Sequence, residues 1–157
     1  MSDQKRWVAY HVEDPSKPQP DGAIRIMCMS DTHSKHKCIP QEYIYPADIA
    51  VHAGDFTRVF DFEVKECALG DPYLAYKIQQ CKTPLHIFGH THCCNGFYRH
   101  GPTLYVNCAV VDLYNKYNCP PIYIDMIKSD QKFEVPDHYF SQQELIEMSF
   151  YKNEAFN

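Results

Sequence analysis

The sequence predicts an α/β protein folded as one domain over residues 1–157. Three observations predict it. Five short apolar runs read as strands. Two stretches with helical spacing lie between the second and third of them. The first three runs are followed at once by Asp and His, often beside Gly, as expected of strands that deliver polar groups to one end of a sheet. At 157 residues the chain is long enough to bury a real core and short enough for a single domain.

The elements follow in order. Residues 11–22 are polar and carry Pro15, Pro18, Pro20 and Gly22, so they read as a loop. Residues 23–29 form the first strand, and 34–46 are polar and rich in turn residues. Residues 47–53 form a second strand, stopped by Gly54. Val59, Phe62, Val64 and Cys67 space a helix over 59–69, and Leu74, Tyr76 and Ile78 space another over 72–81. Asp71-Pro72 opens that second helix, with Asp at the cap and Pro in the first turn. Residues 84–88 are a third, buried strand, ended by Gly89, and 103–111 a fourth. Residues 121–127 alternate as a fifth, with Pro121 tolerable at its first position. Ser141-Gln142-Gln143-Glu144 has capping-box spacing, and Leu145, Ile146, Met148 and Phe150 suffice for a short terminal helix. There is no internal repeat.

Composition narrows the partners. Net charge is −5 and the Lys and Arg residues are scattered, so no basic face for nucleic acid is expected. No stretch approaches the ~18 continuous apolar residues of a spanning helix, so no membrane partner is expected. The opening residues Met1 to Trp7 lack the apolar core of a signal peptide, so a cytoplasmic chain is expected. The eight cysteines are then expected to be reduced and to behave as small hydrophobes. No CxxC spacing occurs, which argues against a structural zinc knuckle. Cys93-Cys94 directly follows His92, and on an extended segment at most one of the two can face a neighbouring metal.

The chemistry lies in what ends the strands. Asp31 and His33 sit just past the first, Asp55 just past the second, His90 and His92 just past the third. Carboxylate oxygens and imidazole nitrogens brought from several strand ends to one place are what a metal-dependent hydrolase needs. In an extended segment residues two apart face the same side, so Asp-x-His and His-x-His each offer a pair. Gly54 and Gly89 let the backbone turn tightly and leave room beside an ion. Taken singly, Gly-Asp after a strand is turn chemistry and a lone His is a hydrogen-bonded residue. The three pieces together, each after an apolar run, carry the metal reading. Lys35, His36, Lys37 and Arg58 read as solvated loop residues, and Tyr114, Tyr117 and Tyr123 as packing or surface aromatics.

Ser30-Asp31-Thr32-His33-Ser34, His52-Ala53-Gly54-Asp55-Phe56-Thr57 and Leu85-His86-Ile87-Phe88-Gly89-His90-Thr91-His92 resemble the calcineurin-like metallophosphoesterases. The closer similarity is to the branch of metallophosphoesterase domain-containing proteins. It extends to Pro20-Asp21-Gly22, to Tyr105-Val106-Asn107-Cys108-Ala109 and to Pro120-Pro121-Ile122-Tyr123-Ile124-Asp125. The resemblance implies an α/β sandwich that hydrolyses small phosphoesters, as a phosphodiesterase or phosphatase, with two divalent ions (Mn, Fe or Zn). Asp31, His33 and His92 would hold the first metal, Asp55 would bridge both, and His90 would belong to the second.

The departure from that pattern is large. The family places a Gly-Asn-His-Glu-like motif after Gly-Asp and a further metal-binding His later. Between Asp55 and His90 the only histidine is His86, inside the third strand, and there is no asparagine. The chain therefore reads as an incomplete, truncated domain lacking its middle, with the join near residues 60–72. The first site keeps Asp31, His33, Asp55 and His92, whereas the second keeps only Asp55 and His90. The lost motif also positions phosphate and supplies proton chemistry, terms worth orders of magnitude in rate. The expectation is a hydrolase by lineage with weak or absent activity, and no residue is assigned a catalytic role beyond metal binding. The alternative is a non-catalytic metal-binding fold acting as a protein-interaction module. Strand edges left unpaired by the missing middle favour a protein partner or self-association.

Overall fold

A computed structural model of the chain describes residues 5–55 and 72–130. The helices expected over 59–69 and after Ser141, and the join expected near 60–72, fall outside the described residues or at their boundary. The elements are β1 (Arg6–His11), β2 (Ile24–Met29), β3 (Ile49–His52), α1 (Pro72–Cys81), β4 (Leu85–Phe88), β5 (Gly96–His100), β6 (Thr103–Asn107) and β7 (Ile122–Ser129). They form two mixed sheets, of order β1-β7-β2-β3 and β4-β6-β5. The β2/β3 and β4/β6 pairs are parallel, and the remaining pairs are antiparallel. No helix among the described residues is long and apolar enough to cross a membrane.

Alternation along the strands builds one core from both sheets. Ile26 and Cys28 of β2, Ile122 and Ile124 of β7, and Leu104 and Val106 of β6 cluster with Ala9 and Cys108. Residues two apart share a face, so each strand turns one apolar row inward. The sheets are also joined through backbone just past β2. Ser30 N donates to the Cys108 carbonyl at 2.9 Å, and Val110 N donates to the Ser30 carbonyl at 3.2 Å. That junction seats the end of β2 beside the loop after β6. No disulfide joins the described cysteines.

Helix α1 spans the stretch its spacing predicts. Two strands, β1 and β5, lie outside the five that the sequence predicts. β1 carries no turn-bounded alternation of its own and becomes a strand by pairing along β7, from Arg6 with Ser129 to His11 with Ile124. β5 had a signal in its aromatic run before Gly101-Pro102, which turns it back onto β6 in a hairpin closed by His100 and Thr103. The fourth strand stops at Asn107, short of the expected Val111, because the chain leaves the sheet to meet Ser30. β3 lies at a sheet edge with Ile49 46% exposed, and among the described residues no strand pairs with its outer side.

His86 of β4 packs between the Phe88 and Tyr105 rings at 5.6 and 5.7 Å. Burial pushes its pKa below the ordinary 6.5. The unfolded chain then takes up this proton first, so His86 contributes stability above pH 6.5 that is lost as pH falls through its folded value. His11 and His52 are lowered by burial too. Unfolding midpoints are expected to fall less between pH 7.5 and 5 in His86→Phe than in the parent, a comparison in which the opposite contribution of His92, whose pKa is raised, is common to both. An unchanged slope in the variant would assign the loss to the other histidines.

Candidate metal centre

The strand ends that carry the predicted ligands are also where the backbone is bent hardest. Asp31, His33, Asp55 and His90 have φ of 56°, 43°, 52° and 70°. Left-handed backbone is costly for side-chain-bearing residues and persists where surrounding structure enforces it, commonly at functional sites. Here the enforcement is visible. Asp31 N donates to the Gly54 carbonyl at 3.1 Å, and His33 N to the Asp55 carbonyl at 3.0 Å. The loop after β2 is thereby tied to the loop after β3.

Asp31 is 1% exposed, and both of its oxygens are used. Oδ2 accepts from Ser30 Oγ at 2.5 Å and from the His90 backbone N–H at 2.9 Å. Oδ1 meets His92 Nε2 at 3.2 Å. Burial works to raise the Asp31 carboxyl, but the hydrogen bonds from His92, Ser30 and His90 together hold it below its ordinary value. His92 is shifted up, chiefly by its hydrogen bond to Asp31 and against its own burial. Its Nδ1 lies 3.0 Å from the Asp112 carbonyl and donates there, while Nε2 is turned to Asp31: it donates to the carboxylate when the ring is doubly protonated and is the lone pair left for a metal when the ring is neutral.

His33 completes the group. Its ring meets that of His92 edge-on at 5.5 Å, and its buried Nε2 has no hydrogen-bond partner. One ligand atom from each of Asp31, His33 and His92 lies within 4.8 Å of the others. Buried polar atoms in folded proteins are nearly always satisfied, so a buried imidazole nitrogen left without a partner, in a residue grouped with a carboxylate and a second imidazole, calls for one. A divalent cation fits that donor set.

Asp55 and His90 stand outside the compact set, and both are exposed. Asp55 contributes its carbonyl to His33, and its charge helps to raise His92. His90 contributes its N–H to Asp31. Cys94 is exposed and also outside the set. Lys35 Nζ donates to the Asn115 carbonyl, which ties two loops together. Tyr123 is a packing residue whose hydroxyl accepts from Tyr45 N at 2.8 Å and donates to the Tyr43 carbonyl at 3.1 Å. Tyr114 is a surface aromatic, and Arg58 lies outside the described residues.

Three supporting residues had only faint sequence signals. Asn107 is a polar residue ending an otherwise apolar strand. Its Nδ2 donates to the Thr91 and Cys94 carbonyls at 2.7 and 2.9 Å, and so fixes the loop that carries His90 and His92. Ser30 is the hydroxyl neighbour that holds Asp31. Gly54 turns as expected, with φ +98°. Gly89 has a different role, because its φ is not positive and its use is space. A Cβ there would sit 2.1 Å from Ser30 Oγ and 2.2 Å from Asp31 Oδ2. Gly89→Ala is expected to cost about 1–3 kcal/mol by overpacking and to displace the Asp31 carboxylate. Denaturant titration and metal content measured together check this. A fully loaded variant of normal stability would show that the strand end yields without cost.

A carboxylate and two imidazoles gathered at the ends of β2 and β4 define a candidate divalent-metal site. Comparison with known proteins agrees with that class. The chain is similar to metallophosphoesterase domain-containing protein 1 of Homo sapiens and of Mus musculus, 40% identical to each over 83 residues. The match covers 48% of this chain and 24% of each relative, so the chain spans about a quarter of the length of the proteins it matches. This similarity supports the metallophosphoesterase branch that the motifs resemble. No family model matches the chain.

Proposed function

We propose that the chain is a divalent-metal-binding protein of metallophosphoesterase lineage, built on a truncated form of that family's α/β sandwich. Its inherited chemistry is metal-dependent hydrolysis of a small phosphoester, weak or absent in this chain. The observation that carries the reading is the convergence of Asp31, His33 and His92 ligand atoms within 4.8 Å of one another. Those three residues would hold the ion, with Asp55 beside His33 as a fourth donor and His90 as the remnant of a second position. A bound ion supplies Lewis-acid stabilisation of phosphoryl charge and lowers the pKa of water.

The chain's own groups prepare the site. Ser30 and the His90 N–H keep Asp31 ionised and oriented. The Asp112 carbonyl selects the His92 tautomer that leaves Nε2 for the metal side. Among the described residues no second compact set of ligands forms around His90 and Asp55. The sequence between Asp55 and His90, which holds no asparagine and only His86 among histidines, supports slow turnover, since two-metal hydrolysis relies on a clamp from both sides of the phosphoryl group.

Metal content per chain, measured beside hydrolysis of an aryl phosphodiester, tests the reading with Asp55→Ala as control. One ion per chain and turnover no higher than in the control is the expected result. Two ions, with turnover lost in the control, would overturn the inactive assignment. No bound ion would overturn the metal site and favour the alternative of a protein-interaction module.

A further inference from the structure

A cavity of about 430 Å³ opens beside the ends of β1 and β5. Its lining includes His11, Glu13, Asp14, Tyr43, Tyr45 and Phe97, and none of Asp31, His33, Asp55, His90 or His92. That volume falls in the range of small-molecule sites, roughly 300–1,000 Å³. The walls are aromatic and preorganised. His11 and Phe97, both in the lining, stack at 3.9 Å and 19° and so hold one another in place. Tyr45 stands edge-on to Tyr123 at 5.9 Å, and the Tyr123 hydroxyl pins the backbone of Tyr43 and Tyr45.

The charge at this cavity has one sign. Its lining holds two carboxylates and no lysine or arginine. Asp14 is already engaged by Ser16 Oγ at 2.5 Å and by Lys17 Nζ at 3.5 Å. Among the described residues Glu13 makes no ion pair, so it is the carboxylate free to meet a cation. Burial pushes the His11 pKa down against the pull of Glu13, which keeps that ring from adding positive charge at neutral pH. Aromatic faces with a nearby carboxylate attract organic cations. A quaternary head has no N–H to satisfy and gains from each ring face.

We propose that this cavity binds a free small quaternary ammonium compound, independently of the metal centre. Choline is the probe, titrated into the full chain and followed by tyrosine fluorescence. Its neutral isostere 3,3-dimethyl-1-butanol is the control for shape. Choline is expected to bind about five- to tenfold more tightly than the isostere. Glu13→Gln and Tyr43→Leu are each expected to erase most of that difference while the unfolding midpoint stays unchanged. Equal binding of the two probes, no choline binding, or full preference retained in both variants would overturn the proposal. Tighter binding of a trimethyllysine peptide than of choline would overturn the small-molecule assignment and make the occupant a modified peptide.

Discussion

Asp31→Asn is expected to weaken metal binding by at least about 100-fold while leaving the apo fold nearly as stable as before. The asymmetry comes from where the carboxylate spends its oxygens. Asparagine keeps the shape and one acceptor, which can face Ser30 Oγ and the His90 N–H, the two groups that seat Asp31 in the fold. Its amide NH₂ then faces His92 Nε2, which can accept because Nδ1 carries the proton toward Asp112. The lost element is an anionic ligand between two imidazoles. Altering the partners of a ligand already costs about 10–100-fold in affinity, and removing the ligand's charge costs at least the upper end of that. Competition with a fluorescent chelator measures the affinity, and thermal unfolding of the apo protein measures the fold. Unchanged affinity would place the ion away from Asp31, His33 and His92. A collapse of the apo fold would show that Asp31 is chiefly a structural carboxylate.

The largest effect on stability is expected at Arg25 and Asp125. The two lie opposite one another on β2 and β7 and are 4% and 5% exposed. Arg25 Nε and Nη2 each reach an Asp125 oxygen at 2.8 Å. Its Nη1 donates to the Lys17 carbonyl at 2.7 Å and, more weakly, to that of Pro15 at 3.3 Å. One side chain therefore joins two strands and anchors the loop before β2. The Asp125 partner and the hydrogen bond raise the Arg25 pKa against its burial. Arg25→Met leaves the Asp125 charge buried without its partner, and breaking such a pair costs about 3–5 kcal/mol. That is a large share of the roughly 5–15 kcal/mol that holds a domain folded. The double variant Arg25→Met/Asp125→Leu is expected to recover much of the loss, because apolar replacement of both partners removes the stranded charge. Urea titration of the single and double variants decides. A single variant within about 1 kcal/mol of the parent would show that water reaches Asp125 and that the pair is solvated, as in exposed pairs.

Local chemistry made much of this protein legible from its residues alone. Helix α1 declares itself because Leu74 and Ile78 fall one turn apart within one segment; the Asp71 cap lies outside the described residues. The strand ends declare themselves because Asp31, His33, Asp55, His90 and His92 each follow an apolar run. Spacing along one segment says which residues share a face, but it carries no distance between segments. So β1 needed β7 to become a strand, and Arg25 needed Asp125, 100 positions away, to be buried as a charge. The same limit applies at the site. Five residues of ligand type were readable, while only the meeting of the strand ends brought ligand atoms of Asp31, His33 and His92 within 4.8 Å of one another. Gly89 and Asn107 belong to that second category. Their roles are a gap filled by another strand's side chain and a clamp on another loop's carbonyls, and neither exists until the two sheets have met.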